Sequence, residues 1–202
     1  MFIEGKRIYL REVTERDVNS TYYAWLCDPE ITKYLECRFF PQSMERIREY
    51  VDSLKSPDNV FLAIETKEGG VRLGNIRLGP INWIHRFSEI GLIIGEKDYW
   101  NKGYGTEAIS LVRDYAFSKL SLHKLTAGCY LDNIASIKAF EKAGFVREGL
   151  LRCQYLTEWS RYCDEAILGC LADEHPRNPQ VLRDNRAGAL AFEDYRSCIS
   201  GA

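Results

Sequence analysis

Three consecutive apolar runs in the middle of the chain constrain its fold more than any other feature of the sequence. The runs are "NVFLAIETK" (59–67), "VRLGNIRLGPI" (71–81) and "FSEIGLIIG" (87–95), and each has the length and apolar content of a strand. A Glu-Gly-Gly turn joins the first two runs, and a short "NWIHR" segment joins the next two. Connections this short are typical of antiparallel neighbours, so the pattern predicts an antiparallel meander.

After residue 103 the apolar spacing becomes helical, and strands and helices alternate from there. Tyr104, Ala108, Leu111, Val112 and Ala116 fall on one face of a helix. The other predicted elements are a strand at 7–13, a helix opening at Thr14, short helices at 29–35 and 43–55, a strand at 124–131, a helix at 133–145 that starts with Asn133 and stops at Gly144, and strands at 146–156 and 161–171.

Composition limits the class of protein. The 202 residues are 46% hydrophobic and 28% charged, which fits one globular domain, assigned to 1–172, with an extension at 173–202 that packs on the domain or on a dimer partner. The net charge of −2 and the pI of about 6.0 give no broad basic surface, so we expect no nucleic-acid partner.

The cysteine pattern and the N-terminus indicate a compartment. The seven cysteines are odd in number, form no C-x-x-C pair and have no histidine at ligand spacing, so we expect free thiols and no metal. The first residues alternate apolar and charged side chains, unlike a signal peptide, and no segment approaches the roughly 20 apolar residues that cross a bilayer. These features predict a cytoplasmic protein without a membrane partner.

The segment "DYWNKGYGTEA" (98–108) places two glycines where a helix begins. A glycine-rich turn at a helix start directs unpaired backbone N–H groups at one spot, where the helix dipole also favours an anion such as phosphate. Two alternatives are a plain helix start and a dinucleotide site, since Gly103-x-Gly105-x-x-Ala108 fits that pattern and Asp132 ends the next strand. About seven residues separate Gly95 from Gly103, which argues against the dinucleotide site.

The block from Glu89 to Gly149 resembles the GNAT superfamily of N-acetyltransferases, in particular its RimJ/RimL-like branch. That branch is recognised by a "W-x-K-G-x-G-T-E-A" loop, here residues 100–108, and by "N-x-x-S-x-x-x-x-E-K-x-G-F", here residues 133–145. The resemblance extends over residues 1 to about 172. It implies an α+β fold with a mixed, mostly antiparallel, bent sheet of about seven strands and four helices, splayed between the strands at 87–95 and 124–131.

Acetyl-CoA is the cosubstrate that the resemblance implies, with its pyrophosphate at the loop 101–106 and no metal. One departure is Trp100, which stands where many members have Gln or Arg. Asn133 is equally interpretable as a plain N-cap, and Lys142 as a solvated helix charge. The implied cofactor-binding residues are Ile93, Ile94, Gly95, Asn101, Lys102, Gly103, Tyr104, Gly105, Thr106, Asn133, Ser136, Phe140 and Lys142.

Two residues are the candidates for proton transfer. Glu89 interrupts an apolar strand, where desolvation would make its carboxylate a better general base for the amine, although an edge carboxylate facing water is the alternative. Glu158 and Asp164 are the substitutes. The resemblance places a tyrosine acid at Phe140, which has no proton to give, so Ser136 is the candidate donor to the thiolate, and a backbone N–H within 93–95 the candidate oxyanion donor.

The acceptor is expected to be a primary amine. The segment 74–95 is most similar to members that modify amino sugars on nucleotide carriers, and the alternatives are protein N-terminal amines, polyamines and antibiotics. Seven aromatic residues are candidates for the acceptor wall, and an apolar core explains several of them equally well. They are Tyr22, Tyr23, Trp25, Tyr34, Phe39, Phe40 and Trp83. A catalytically inactive acyl-CoA-binding domain is the alternative of another class. We expect a homodimer.

Overall fold

The structure is a computed structural model, and it describes residues 1–158 and 161–174, with the side chain of Glu158 excepted. Most of the predicted extension 173–202, and therefore its expected packing, lies outside the described residues. The described chain forms one eight-stranded sheet with α-helices on its two faces.

The sheet is mixed, with the order β1-β2-β3-β4-β5-β6-β8-β7. Every neighbouring pair is antiparallel except β5 and β6, which are parallel. The predicted meander is therefore confirmed as β3–β5, and the N-terminal β1 makes eight strands where about seven were predicted. The strands are β1 (Ile3–Glu4), β2 (Ile8–Glu12), β3 (Val60–Thr66), β4 (Arg72–Leu78), β5 (Phe87–Ile94), β6 (Lys124–Tyr130), β7 (Val146–Glu158) and β8 (Arg161–Leu171).

Among the described residues, four α-helices cover the sheet, as the resemblance implies. They are α1 (Ser20–Cys27), α2 (Met44–Ser53), α3 (Tyr104–Ser118) and α4 (Ile134–Lys142). Thr14 caps only a 3-10 turn at Glu15–Asp17, and Asn19 caps α1 by accepting the Tyr22 N–H at 3.1 Å. Helix α4 begins at Asn133 and ends before Gly144, which has φ +90°, as the sequence predicts.

The predicted helix at 29–35 is wrong. Two separate turns form there, one closed by the Thr32 N–H on the Asp28 carbonyl and one by the Leu35 N–H on the Thr32 carbonyl, and a 3-10 helix follows at Glu36–Phe39. The Asp28 carboxylate accepts the Glu30 N–H and the Thr32 hydroxyl bonds the Asp28 carbonyl, so local side-chain bonds replace a helical ladder.

Two apolar cores lie on opposite faces of the sheet. Helices α3 and α4 pack with β5 residues such as Ile90 and with Leu125 and Ala127 of β6. Helices α1 and α2 pack on the other face, where Trp25, Ala63 and Ile93 meet. Because successive strand residues face opposite sides, odd-numbered β5 residues face α1 and α2, and even-numbered ones face α3 and α4.

Candidate active site

A gap opens between β5 and β6, the two strands that the family resemblance predicts to be splayed apart. Their parallel ladder runs only from Phe87↔Lys124 to Glu89↔Thr126, whereas β5 continues to Ile94 and β6 to Tyr130. On the β4 side, the Gly79 N–H bonds the Glu89 carbonyl and the Gly95 N–H bonds the Leu73 carbonyl.

Alternate residues of an antiparallel strand bond the same neighbour, so the odd-numbered residues of β5 bond β4. Leu92 and Ile94 therefore direct their backbone groups into the gap. Within the range 93–95 proposed for the oxyanion donor, the Gly95 N–H is already bonded to Leu73, and the Ile94 N–H is the one that faces the gap.

The glycine loop closes one end of this gap. The Trp100 indole N–H donates to the Ile94 carbonyl at 2.8 Å, which ties the loop to β5. Gly103 has φ +82° and is the N-cap of α3, and Asn101 is also left-handed at φ +57°. The Glu107 N–H is the first to bond back into the helix, on the Gly103 carbonyl, so the N–H groups of 104–106 are left for another acceptor.

Arg7 and Glu107 clamp the loop to the N-terminal strands. The Glu107 carboxylate accepts the Arg7 backbone N–H at 2.7 Å and its Nε at 2.9 Å, while Arg7 Nη1 donates to the Lys102 carbonyl at 2.8 Å. The guanidinium also lies 4.3 Å from the centre of the Tyr104 ring. Partial burial acts to raise the pKa of Glu107, but the bonds from Arg7 and Ile8 outweigh it and hold that pKa below its ordinary value.

Gly105 provides a test of whether the loop fits a phosphate ligand. A Cβ built on Gly105 would meet only Leu92 Cδ1 at 3.5 Å and Ile94 Cγ1 at 3.9 Å, both ordinary contacts, and the residue needs no left-handed backbone. The protein itself therefore does not require glycine at 105, whereas it does at Gly103. Open space beside free N–H groups and the unpaired edge of β5 suits a chain-like ligand that ends in a pyrophosphate, which CoA has.

The residues predicted on α4 are placed on the α3/α4 face. Asn133 Oδ1 accepts the Ser136 N–H at 3.2 Å, so it acts as an N-cap, and Ser136 Oγ lies 3.3 Å from Cys129 Sγ of β6. Burial raises the pKa of the Cys129 thiol to about 11, against the opposing effect of the Ser136 bond. Phe140 is buried against Phe145 in the core, and Lys142 is exposed at the end of the helix.

Glu89 lies at the point where the gap opens, on the α1/α2 face, and it is exposed. The expectation that an apolar strand would desolvate this carboxylate is therefore wrong. The apolar neighbour Ile90 faces the opposite side of the sheet, and the residues flanking Glu89 on its own face are Phe87, itself exposed, and Gly91.

A buried carboxylate that sequence analysis missed lies across the gap. Glu165 of β8 is only 7% exposed and accepts the Tyr155 hydroxyl of β7 at 2.7 Å. A Cβ on Gly128 of β6 would lie 2.0 Å from Glu165 Oε1 and 3.3 Å from the Tyr155 oxygen, so both groups cover the Gly128 backbone. Glycine 128 between apolar residues was the available sequence signal, since it marks a close approach.

The two substitutes proposed for the base differ from Glu165. Asp164 Oδ1 accepts the Cys153 N–H at 2.8 Å, where Cys153 has φ +52° in an irregular part of β7, so this carboxylate shapes the strand. The side chain of Glu158 lies outside the described residues.

Aromatic rings extend from Tyr155 toward the first quarter of the chain. Tyr130 stacks on Tyr155 with ring centres 4.0 Å apart, and Tyr34 lies 5.4 Å from Tyr130. Arg38 donates to the Leu156 carbonyl at 2.5 Å with its guanidinium 5.4 Å from the Tyr130 ring. Of the wall candidates, Tyr22 and Trp25 instead lie in the core, and Trp25 packs against Gly95.

No group of three potential metal ligands occurs among residues 1–158 and 161–174. Within the same described residues, no helix has the length and apolarity that spanning a membrane requires.

Comparison with known proteins gives consistent matches. The family model for the acetyltransferase (GNAT) domain matches residues 7–146. The probable N-acetyltransferase YjcK of Bacillus subtilis is 36% identical over 74% of this chain and 86% of its own length. The uncharacterized N-acetyltransferase p20 of Bacillus licheniformis is 32% identical over 84% of this chain and 96% of its own.

A solved structure resembles the fold. The spermidine N-acetyltransferase of Vibrio cholerae, determined in complex with CoA and spermine, superimposes with a TM-score of 0.73 at 24% identity. The match covers 83% of this chain and 97% of that one.

Proposed function

Since the chain belongs to the GNAT acetyltransferase family and its relatives are N-acetyltransferases, we propose that it transfers the acetyl group of acetyl-CoA to a primary amine by direct attack in a ternary complex. The RimJ/RimL-like branch is part of this proposal and rests on the motifs at 100–108 and 133–145.

One observation carries the proposal. The open N-terminus of α3, with a glycine at 105 that the protein itself does not need, faces the part of β5 at Leu92 and Ile94 that is not paired with β6. A pyrophosphate would bind residues 101–106 through backbone N–H groups, and the amide-containing arm would follow β5 toward Asn133 and Ser136.

The amine would enter from the α1/α2 face, where Glu89 marks the opening of the gap. A primary ammonium has a pKa near 10 and must lose a proton before it attacks, so Glu89 would take that proton directly or through water. The Ile94 N–H would stabilise the developing oxyanion, and Ser136 on the other face would give its proton to the leaving thiolate and take one back from water.

The acceptor is proposed from the sequence to be an amino sugar on a nucleotide carrier. A polyamine is the second candidate, because the carboxylates of Glu89 and Glu165 face the acceptor side and because the similar Vibrio cholerae structure contains spermine. We also propose a homodimer and a cytoplasmic location, which rest on the resemblance and on the composition.

An amine panel tests the proposal. Purified protein is incubated with acetyl-CoA and nucleotide-linked amino sugars, polyamines, peptides with free N-termini or aminoglycosides, and released CoA and acetylated product are quantified by mass spectrometry. Saturable acetylation of an amine supports the proposal. Binding of acetyl-CoA without transfer to any class would favour the inactive acyl-CoA-binding domain.

A further inference from the structure

We propose that Tyr155 binds the acceptor ammonium through its phenolic oxygen, and that Glu165 is the positioning residue that fixes this oxygen as a hydrogen-bond acceptor. This inference rests on the proposed function, and it identifies the residues that make the acceptor side specific for a cationic primary amine.

The first argument is location. Glu89 and Thr126 are register partners where the gap opens, and Gly128 and Tyr130 continue that face of β6 beyond the last paired residue. Glu165 is the register partner of Tyr130, so it lies on the same face. The Tyr155 oxygen lies 3.3 Å from the Cβ position of Gly128, which places it beside the gap on the α1/α2 side.

The second argument is the direction of the hydrogen bond. A carboxylate can only accept, so the Tyr155 hydroxyl donates its single proton to Glu165 at 2.7 Å. What remains on the phenolic oxygen is lone-pair density. That oxygen can accept from an ammonium N–H but has no proton left with which to bind a neutral acceptor such as a carbonyl group.

The third argument is rigidity and charge. Tyr130 stacks on the Tyr155 ring at an angle of 12°, and Glu165 is buried beneath it, so the phenol has a fixed orientation. Burial, the bond to Glu165 and the negative charges of Glu165 and Glu89 all raise the pKa of Tyr155, which keeps the phenol protonated. An ammonium placed beside Tyr155 would therefore lie within the field of two carboxylates.

Removal of the phenolic oxygen tests the binding role. Tyr155→Phe keeps the ring and its stacking, and it should raise the KM for spermidine or a nucleotide-linked amino sugar about 10- to 100-fold, the range for a lost bond to a charged group. The Kd for acetyl-CoA should stay unchanged. Tyr162→Phe, at an exposed tyrosine of the same hairpin, is the matched control and should leave both constants unchanged.

A double-mutant cycle tests the positioning role. Glu165→Gln keeps the shape but offers an amide that donates as well as accepts, so Tyr155 loses its fixed orientation and the amine KM should rise. If Glu165 acts mainly through Tyr155, the two substitutions should raise the amine KM by clearly less in combination than the product of their separate effects, because both remove the same ammonium bond. Thermal unfolding of each variant identifies those that remain folded. If Glu165→Gln does not fold, Glu165→Asp replaces it in the cycle, because the shorter side chain draws the accepting carboxylate away from the Tyr155 hydroxyl.

The outcomes are distinguishable. An unchanged amine KM in folded Tyr155→Phe, or a fall in kcat alone, overturns the binding role, and additive effects in the cycle overturn the positioning role. Calorimetry of CoA-loaded wild-type protein separates the two proposals. If CoA binds but neither amine probe does, this inference fails while the donor half of the proposed function stands, and absence of CoA binding overturns the proposed function itself.

Discussion

Replacement of Gly105 by alanine should strengthen the fold and weaken the binding of acetyl-CoA. The new methyl group has room in the protein, because its nearest neighbours lie 3.5 Å and 3.9 Å away. Gly105 is helical, so the loss of unfolded-state freedom should stabilise the variant by about 0.4–1 kcal/mol, or about 1–4 °C in Tm for a chain of this size.

The same methyl group points toward Leu92 and Ile94, where the ligand is proposed to lie. Displacing the pyrophosphate from one charge-assisted backbone bond costs about 1.5–3 kcal/mol, which weakens binding roughly 10- to 100-fold. Calorimetry with CoA and differential scanning calorimetry measure the two effects. Gly103→Ala is the contrasting variant, since φ +82° makes a side chain there cost about 1–2 kcal/mol in stability. A stable Gly105→Ala protein with wild-type CoA affinity would refute the loop assignment.

Three further predictions concern protons. Glu89→Gln should lower kcat/KM by roughly 10²–10⁴-fold with acetyl-CoA affinity unchanged, and pH–rate profiles should show recovery at high pH, where the amine is already neutral; a wild-type profile would exclude Glu89 as the base. Ser136→Ala should lose rate without that recovery, so a rate restored at high pH would exclude its role toward the thiolate. Asp17 is desolvated, but bonds from Arg11 and from the Thr14 backbone hold its pKa below the ordinary value of an aspartate. Its stabilisation is therefore complete above that ordinary value and is lost as pH falls through the folded pKa. Asp17→Asn should therefore cost about 3 kcal/mol at pH 7 and weaken the acid dependence in urea titrations at pH 7 and 3, and an unchanged acid dependence would contradict this.

Local chemistry made part of the molecule predictable from its sequence. A glycine before a helical period marks the start of α3, and Asn133 and Gly144 bound α4 because capping depends on residues close in the chain. The antiparallel meander β3–β5 was also predictable from local signals, because short connections pair strands that are neighbours in the chain. Strand β1 has two residues and makes its ladder with β2, which gives too short a pattern to recognise.

The residues of the acceptor side were harder to predict from the sequence, because their positions depend on the strand register between segments that are distant in the chain. An unbroken ladder continuing from Leu151↔Glu165 would place Tyr155 opposite Arg161, but the irregularity around Cys153 places it opposite Cys163 instead. Glu89 shows the same limit. Its apolar neighbours in sequence indicated burial, yet whether its own face is covered depends on where α1 and α2 pack.

The last residues of β5 join the two proposed substrate sites mechanically. Trp100 of the glycine loop donates its indole N–H to the Ile94 carbonyl. Trp25 of α1 lies against Gly95 and donates its indole N–H to the Glu96 carboxylate at 3.1 Å. A displacement of α1 must therefore move the strand end that holds the loop or break the Trp25–Glu96 bond. If the acceptor displaces α1 when it binds, we expect the affinities for donor and acceptor to be linked through these residues, and thermodynamic reciprocity then requires each substrate to change the affinity of the other by the same factor.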